Sequence, residues 1–248
     1  MKIAGCVALV TGANRGVGEA LVRALLARGA TKIYAAARDP ALLPDFADPR
    51  VVPLPLDVAN VDQCAAAARQ APDLTLLINN AGRSKFGVTL GHTDAEAHLR
   101  AEMDVNLFGI FNTYRAFADA LGRNGGGAIA NILSAAALMN VPVLATYSIS
   151  KAAALSLTQG IRAMTAAQKT LVTAAFLGSV DTRMAADVPA GVEKVSAAFV
   201  AKAVLDGIER NDEEIDTDPM AIDVRARIAR DPKKMERFFA RGLQFFRK

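Results

Sequence analysis

The sequence predicts an α/β fold, a doubly wound parallel sheet covered by helices on both faces in three layers. Apolar runs of strand length alternate with longer helical stretches along the 248 residues. The runs are apolar nearly throughout, as expected for parallel strands buried on both faces. A hydrophobic fraction of 52% suits such a sheet, and the length fits one domain spanning residues 1–248.

The predicted elements follow one another in a regular order. Helices are expected at 17–28, which Gly29 ends, and then near 60–71, 95–121, 146–167 and 196–210, because these stretches are long and lie between the apolar runs. Right-handed crossovers place ligands at the carboxyl ends of the strands. The apolar runs that predict the strands are 7–10, 32–37, 51–56, 74–78, 128–133 and 171–177, with a further short strand near 214–217.

Charge and composition exclude several classes of protein. The net charge of +4 is concentrated in residues 223–248, which hold nine Lys/Arg and three Asp/Glu, so no general nucleic-acid surface is expected. No uncharged apolar stretch reaches the 18 residues of a membrane span. The start at Met1 leads directly into a strand, and two cysteines make no disulfide framework, so we expect a cytoplasmic protein. His92 and His98 lack partners at metal spacing, so no metal site is expected.

A glycine-rich loop, Thr11-Gly12-Ala13-Asn14-Arg15-Gly16-Val17-Gly18, joins the first strand to the first helix. Strand, glycine turn and helix in this order bring backbone N–H groups to a helix N-terminus, where a pyrophosphate binds. Gly12 permits the tight turn, Gly16 the close approach of a ligand and Gly18 the close packing of helix on strand. An ordinary glycine-rich turn is the alternative.

A tyrosine and a lysine four residues apart, Tyr147 and Lys151, lie on one face of the helix predicted at 146–167. A cationic amine beside a phenol favours the phenolate and lowers the phenol pKa, which prepares the tyrosine for general acid or base work. Ser134 lies thirteen residues upstream of Tyr147 and adds a hydroxyl donor. The spacing of tyrosine and lysine alone occurs by chance on many exposed helices.

Five motifs in order resemble the short-chain dehydrogenase/reductase family, in its single-domain branch of NADP(H)-dependent carbonyl reductases on a Rossmann fold. They are the glycine loop, the stretch Asn79-Asn80-Ala81-Gly82, Asn106, Ser134 and Tyr147-x-x-x-Lys151. The resemblance implies hydride transfer between a nicotinamide and a carbonyl or alcohol carbon, with Tyr147 as general acid/base. The implied catalytic residues are Asn106, Ser134, Tyr147 and Lys151.

The resemblance also implies a set of cofactor-binding residues. Asp57 would bond the adenine amino group, Lys151 the nicotinamide ribose and Thr182 the nicotinamide carboxamide, while Asn106 would hold a water that links Lys151 to solvent. A turn aspartate at 57, and buried amides at 79, 80 and 106 that bond backbone groups, are the alternatives. The full predicted cofactor-binding set is Gly12, Asn14, Arg15, Gly16, Val17, Gly18, Arg38, Asp57, Val58, Asn79, Ala81, Gly82, Tyr147, Lys151, Val180 and Thr182.

The end of the second strand predicts NADP(H) over NAD(H). A carboxylate about twenty residues after the glycine loop selects NAD by bonding the ribose. Ala37 stands where NAD-dependent members of the family usually have aspartate, and Arg38 follows it. Arg38 together with Arg15 can grip a 2′-phosphate through charge-assisted bonds. Solvated surface arginines are the alternative, and Asp39 facing the ribose would weaken the preference.

Three features depart from the family pattern. Leu177 stands where a proline usually precedes Gly178, Arg83 stands where an apolar residue is commoner, and the usual Val-Asp-Gly-Gly ending is missing. The stretch 135–144 is mostly apolar, which favours a hydrophobic ketone or secondary alcohol as substrate. A non-catalytic NADP-binding regulator is the alternative function. A nucleotide-sugar epimerase or dehydratase is disfavoured by the glycine spacing and the chain length.

Apolar residues in two parts of the chain predict an oligomer interface and a packed C-terminal helix. The helices near 95–121 and 146–167 are expected to pack in a homo-oligomer, with a tetramer favoured over a dimer. A basic amphipathic helix is predicted near 231–246, starting at Asp231-Pro232. We expect it to pack on the body or on a neighbouring subunit, and a lipid surface is the less favoured alternative. The apolar residues offered for assembly are Phe108, Phe111, Ala116, Phe117, Ala120, Ala152, Leu155 and Ala163, and those of the tail are Met235, Phe238, Phe239, Leu243 and Phe246.

Overall fold

The computed structural model describes residues 1–189 and 191–242. Its sheet has seven strands in the order β3-β2-β1-β4-β5-β6-β7, with every neighbouring pair parallel. Helices flank both faces, so the doubly wound three-layer fold is confirmed. The strands are β1 (Val7–Thr11), β2 (Lys32–Ala37), β3 (Val51–Pro55), β4 (Leu76–Asn79), β5 (Ala128–Ile132), β6 (Leu171–Phe176) and β7 (Glu214–Asp216).

The helices divide between two apolar cores. Successive residues of a strand point to opposite faces, so Leu9 belongs to one core while Ala8 and Val10 belong to the other. In the described chain α1 and α6 cover the face of Ala8 and Val10, and α2, α4 and α5 cover the face of Leu9. The helices are α1 (Gly16–Ala27), α2 (Val61–Gln70), α3 (Ala95–Met103), α4 (Gly109–Arg123), α5 (Ala145–Thr165), α6 (Ala197–Arg210), α7 (Pro219–Arg230) and α8 (Pro232–Gly242).

The helix predicted at 95–121 contains a wider π turn, Asp104–Phe108, between α3 and α4. A π turn of this kind is rare and is commonly found at functional sites. It centres on Asn106, which is fully buried. The predicted helical stretch is therefore present, and the π turn within it is a local change of pitch that hydrophobic spacing does not distinguish.

Helix α7 was not predicted from the sequence, which suggested only a short strand near 214–217 and a basic helix near 231–246. Its start carries the same cue as the tail helix, because Asp218 caps it through the Ala221 N–H at 3.1 Å and Pro219 occupies the first turn. The Asp218 carboxylate also accepts a 2.7 Å bond from the Gly178 N–H. One buried aspartate therefore joins the exit of β6 to the start of α7.

The tail helix α8 packs on the body. Met235 is 4% exposed and belongs with Ala221 and Val224 of α7 to one core, against which Phe239 also packs. The prediction that the tail packs on the body is confirmed for these residues. Phe238 is 56% exposed and does not share that face. The predicted tail residues Leu243, Phe246, Arg247 and Lys248 lie outside the described residues.

The order of the strands reverses at β1, whose neighbours are β2 and β4. Ligands of doubly wound sheets bind in the crevice beyond the carboxyl ends of the strands at such a point. The loops that follow β1, β4, β5 and β6 carry most of the residues singled out by the sequence. The fold therefore brings these separate motifs to one edge of the sheet.

Candidate active site

The glycine loop forms a close-fitting turn over the end of β1. Gly12 and Gly16 have φ of +65° and +56°, a region that favours glycine. A Cβ on Gly18 would lie 2.1 Å from the Gly12 carbonyl oxygen and 2.6 Å from Asn80 Nδ2. Helix α1 begins at Gly16, and Arg15 gives it no side-chain cap. Its first N–H groups are thus left to an external acceptor, which fits a pyrophosphate.

The loop after β6 reaches back over this turn. A Cβ on Gly16 would meet Thr182 Cγ2 at 3.2 Å, so Thr182 lies directly beside the glycine loop. Val180 is buried and forms a bridge with Val195. Leu177 is buried in the core, and the Asp218 carboxylate fixes the N–H of the next residue, Gly178. The anchor at Asp218 thus orders this strand exit where the family pattern has a proline.

Two exposed arginines border the loop on the side of β2. Arg15 precedes α1, and Arg38 follows directly after Ala37, the last residue of β2. Asp39 Oδ1 accepts the Ala41 N–H at 3.0 Å and caps the turn at 40–42. One oxygen of that carboxylate is therefore held by its own turn, while Asp39, like Arg15 and Arg38, is exposed.

The end of β3 places Asp57 and Val58 in a capped turn. Asp57 Oδ1 accepts the Ala59 N–H at 3.0 Å, and the Val58 carbonyl accepts Asn112 Nδ2 at 3.0 Å. One carboxylate oxygen of Asp57 therefore makes the hydrogen bond expected of a turn aspartate, which was the alternative. Val58 packs under Gly109, where a Cβ would come within 2.6 Å of Val58 Cγ2. These contacts fix the wall on which an adenine would lie.

The two asparagines at the end of β4 have different partners. Asn79 is buried, donates to Asn131 Oδ1 at 2.8 Å and accepts from Thr113 Oγ1 at 2.8 Å. Both amide atoms of Asn79 are thus held inside the core, as the structural alternative expects, and a cofactor contact at this residue stays a prediction. Asn80 Nδ2 donates to the Thr11 and Gly12 carbonyls at 2.9 and 3.2 Å, so it braces the glycine loop.

The small residues after Asn80 form the floor of the crevice. Thr11 Oγ1 accepts the N–H groups of both Asn80 and Ala81 at 2.9 Å, which ties β4 to β1. A Cβ on Gly82 would lie 3.4 Å from Asn106 Oδ1 and 3.8 Å from Lys151 Nζ. Ala81 and Gly82 therefore lie between the glycine loop and the lysine of α5.

Ser134, Tyr147 and Lys151 meet at the ends of β5 and α5. The Ser134 hydroxyl is close enough to the Tyr147 hydroxyl to lower its pKa, and it donates to the Leu177 carbonyl at 3.3 Å and accepts the Ala136 N–H at 3.2 Å. Lys151 Nζ donates to the Ile132 carbonyl at 2.8 Å and lies 5.7 Å from the centre of the Tyr147 ring. The three predicted side chains are thus brought together.

The electrostatics of this group differ from the sequence expectation. Burial raises the pKa of Tyr147 to about 12; the Ser134 hydrogen bond opposes this shift and the charge of Glu102 adds to it. Burial lowers the pKa of Lys151 to about 8. The expectation that Lys151 holds the Tyr147 pKa below its ordinary value is wrong for the protein's own groups, because burial dominates and the ammonium bonds a backbone carbonyl.

The lowered pKa of Lys151 predicts a stability that rises with pH. Between about 8 and the ordinary value of 10.5 the unfolded chain binds more protons at this amine than the folded chain, so stability increases across that window. Relative to Lys151→Met, the free energy of unfolding of the wild type should rise by about 1 kcal/mol between pH 7.5 and 9. Urea denaturation at several pH values measures this, and parallel curves for the two proteins would contradict it.

Asn106 is held by its neighbours. Its Oδ1 accepts the Arg83 N–H and its Nδ2 donates to the Arg83 carbonyl, both at 2.8 Å. Nδ2 also donates to Ser150 Oγ at 2.9 Å, and that hydroxyl donates to the Tyr147 carbonyl at 2.7 Å. The side chain does not touch Tyr147 Oη or Lys151 in these bonds. These bonds are the ones that the buried-amide alternative expects, and the role of Asn106 in holding a water that links Lys151 to solvent stays a prediction.

The comparisons with known proteins agree with this geometry. A sequence model of the short chain dehydrogenase family matches residues 6–193. This chain belongs to the short-chain dehydrogenase/reductase family. It is similar to the short chain dehydrogenase mpl6 of Monascus purpureus, with 34% identity over 200 residues that cover 75% of this chain and 68% of that protein.

Two crystal structures give the likeness in three dimensions. A short chain dehydrogenase from Burkholderia cenocepacia J2315, in complex with NADP, has a TM-score of 0.91 and 44% identity over 96% of this chain and 99% of its own. A short chain dehydrogenase/reductase from Burkholderia phymatum, in complex with NAD, has a TM-score of 0.79 and 26% identity over 91% of this chain and 93% of its own. This short-chain dehydrogenase/reductase is thus an oxidoreductase of a family that binds a nicotinamide cofactor.

The sequence reading of this short-chain dehydrogenase/reductase missed three buried groups at the site. Thr11 Oγ1 and the Asp218 carboxylate order the two loops that flank the crevice. Glu102 is fully buried on α3 and its charge acts on Tyr147. Its place four residues before Asn106 was the available sequence cue, but Glu102 also reads as an ordinary solvated residue of a helix.

Within residues 1–189 and 191–242, no group of three or more His, Cys, Asp or Glu side chains is arranged to hold a metal ion. In that same part of the chain, no helix has the length and apolar content needed to cross a membrane.

Proposed function

We propose that this protein transfers a hydride between NADP(H) and a hydrophobic ketone or secondary alcohol, with Tyr147 as general acid/base. The observation that carries the proposal is the meeting of Ser134 and Tyr147 beside Lys151, at the edge of the sheet that holds the glycine loop. Two hydroxyl groups at one point suit a reacting oxygen, and the loop suits a dinucleotide.

The residues divide the work of carbonyl reduction. The dinucleotide, when bound, supplies the hydride. Tyr147, which its raised pKa keeps protonated at neutral pH, donates its proton to the carbonyl oxygen as negative charge develops there. Ser134 donates a hydrogen bond to the same oxygen and stabilises that charge. The Lys151 ammonium lies next to Gly82 and is placed to hold a ribose hydroxyl.

The cofactor of this proposal is NADP(H). Arg15 in the glycine loop after β1 and Arg38 directly after β2 are both exposed, β1 and β2 are neighbouring parallel strands, and Ala37 carries no carboxylate for the ribose. The NADP bound to the Burkholderia cenocepacia relative supports this preference. The backbone of Gly12 to Gly18, with Ala81, Gly82, Asp57, Val58, Val180 and Thr182, supplies the rest of the proposed contacts.

Arg38→Ala should weaken NADPH binding by about tenfold or more, because it removes a charge-assisted hydrogen bond to the 2′-phosphate. Binding of NADH, which lacks that phosphate, should change little. Fluorescence titration of both cofactors measures the difference. Arg69→Ala, an exposed arginine on α2, is the matched control. Equal losses for NADPH and NADH, or equal wild-type affinity for both, would contradict the assignment.

The substrate side of the proposed site is apolar. Ala135, Ala136 and Ala137 form a buried turn directly after Ser134, and Leu138 and Met139 pack on the core beside them. Such a wall offers little to a sugar nucleotide and accepts an aliphatic or aromatic body. It supports a hydrophobic ketone or secondary alcohol as the substrate class.

A substrate panel tests the function. NADPH is mixed with the protein and a series of aliphatic and aromatic ketones, and the absorbance at about 340 nm is followed, the wavelength at which reduced nicotinamides absorb. We expect oxidation of NADPH with at least one ketone and none with a protein carrying Tyr147→Phe. NADPH binding without turnover across a broad panel would favour the non-catalytic NADP-binding regulator.

We also propose a cytoplasmic homo-oligomer, with a tetramer favoured over a dimer. Phe108 and Phe111 are 49% and 38% exposed at the start of α4, and Met164 is 73% exposed on α5. Phe117 and Ala120, which were expected to join that surface, are instead buried in the core. Light scattering at micromolar concentration should give a mass above that of one chain, and a monomer would contradict the proposal.

A further inference from the structure

Glu102 is a buried charged side chain that the proposed chemistry does not use. It lies on α3 with no exposed surface, and its Oε1 accepts the Lys85 N–H at 3.0 Å. Its Oε2 is buried and has no hydrogen-bond partner within the described chain. Burying a carboxylate oxygen unpaired costs stability. An apolar residue at this helix position would avoid that cost, so the carboxylate needs another explanation.

The partner of Glu102 belongs to a segment that borders the site. This segment, residues 83–88, is called the wall segment below. It begins directly after Gly82, beside Lys151 Nζ. It ends where the Gly87 N–H donates to the Val143 carbonyl at 2.9 Å and Val88 forms a bridge with Leu144, just before α5 and Tyr147. Both ends of the wall segment thus adjoin the proposed catalytic group.

Two side chains of one helix hold the near half of the wall segment. Asn106 bonds both the N–H and the carbonyl of Arg83, and Glu102, four residues earlier, bonds the N–H of Lys85. Residues four apart share a helix face, and alternate residues of an extended chain point their N–H groups to one side. The two contacts therefore hold successive points of the wall segment against α3 and the π turn that follows it.

We propose that Glu102 is a positioning residue for the proposed reduction, because its carboxylate fixes the wall segment beside the Ser134–Tyr147 pair. This inference rests on the proposed function. The effect of the Glu102 charge on Tyr147 supports the closeness of the two groups. The side chain of Lys85 connects the wall segment to the loop after β6, since its Nζ forms an ion pair with Asp187 at 3.3 Å. Glu102 thus orders one side of the substrate entrance.

Glu102→Leu and Glu102→Gln separate positioning from a purely structural role. Leucine removes the acceptor and the unpaired buried oxygen, so the melting temperature should stay equal or rise while kcat/KM for the ketone falls by about tenfold, as for loss of one hydrogen bond to a charged group. Glutamine keeps an acceptor of the same reach and should retain wild-type kinetics. The affinity for NADPH should be unchanged in both.

The same bond is removable from the other side. Lys85→Pro deletes the N–H that Glu102 accepts, and Lys85→Ala keeps it while removing the ion pair with Asp187. We expect the proline variant to lose activity like Glu102→Leu and the alanine variant to stay near wild type. Unchanged kinetics in Glu102→Leu and Lys85→Pro, or equal losses in Glu102→Gln and Glu102→Leu, would overturn the proposal.

Amide hydrogen exchange makes the test independent of turnover. The Lys85 N–H should be protected in the wild type and in Glu102→Gln, and should exchange faster in Glu102→Leu, whether or not any ketone of the panel is reduced. Slow exchange of the Lys85 N–H in all three proteins would overturn the proposal that Glu102 holds the wall segment. An inactive wild type with the expected exchange pattern would instead sink the proposed function and leave the contact standing.

Discussion

Tyr147→Phe should lower the rate of carbonyl reduction by about a hundredfold or more, the range that a general acid contributes. The phenyl ring remains in place beside Lys151, while the hydroxyl next to Ser134 is removed. The affinity for NADPH should be almost unchanged, because the ring and the lysine remain. Steady-state kinetics with a ketone of the panel, together with a fluorescence titration of NADPH, measure the two quantities.

Tyr114→Phe is the matched control for this substitution. Tyr114 lies on α4 and packs partly buried against the core. Losing its hydroxyl should leave turnover near that of the wild type. Turnover by Tyr147→Phe at a rate close to that of Tyr114→Phe would remove Tyr147 from the mechanism, whatever its place beside the serine.

The raised pKa of Tyr147 favours this variant as a test in the reductive direction. A phenol with a pKa of about 12 carries its proton throughout the neutral range, so the wild type begins the reaction with the acid in the required form. The protein's own groups oppose the phenolate that the oxidative direction needs. The contrast between Tyr147→Phe and the wild type should therefore be clearest in reduction.

Local sequence patterns were sufficient to predict the fold. The apolar runs and the helical stretches between them depend on burial of whole elements, and burial follows composition over several residues. Strands β1 to β7 and helices α1 to α6 lie close to where the patterns place them. The start of α7 was not predicted, although Asp218 and Pro219 have the residue types of a helix start. It follows almost directly after a strand of only three residues, so the boundary between the two elements is not visible in the sequence pattern.

The pairing of side chains at the site was less accessible to sequence reading. Asn79 and Asn80 are adjacent in a motif, yet one bonds Asn131 and Thr113 in the core and the other braces the glycine loop. Which face of the strand end each side chain takes depends on the neighbouring strands and not on the motif. The same holds for Glu102, whose partner lies seventeen residues away in the chain.

The direction of the Tyr147 pKa shift is a second property of the site that the sequence did not predict. The sequence gives the spacing of tyrosine and lysine, and a nearby cation lowers a phenol pKa. It does not give the depth of burial, which here raises the pKa of Tyr147 and lowers that of Lys151. Desolvation is a property of the whole packed site, so this term appears only when the structure is known.

Gly18→Ala should abolish or severely weaken NADPH binding. A Cβ there would lie 2.1 Å from the Gly12 carbonyl and 2.6 Å from Asn80 Nδ2. Backbone on one side and a hydrogen-bonded amide on the other leave no room, so the glycine loop or α1 must move. Overpacking of this kind costs about 1–3 kcal/mol, and a displaced loop loses the N–H geometry that a pyrophosphate requires. Thermal unfolding and NADPH titration report the two effects.

Gly160→Ala gives the contrast that isolates the close approach at Gly18. Gly160 lies within α5, where an added Cβ meets no atom within 4 Å. Alanine there should stabilise the helix by about 0.5–1 kcal/mol and leave NADPH affinity unchanged. The two substitutions make the same chemical change, so their opposite effects would follow from packing alone. Full NADPH affinity and an unchanged melting temperature in Gly18→Ala would show that the turn over β1 has more room than its contacts indicate. The glycine loop would then lose its role in the proposed cofactor site.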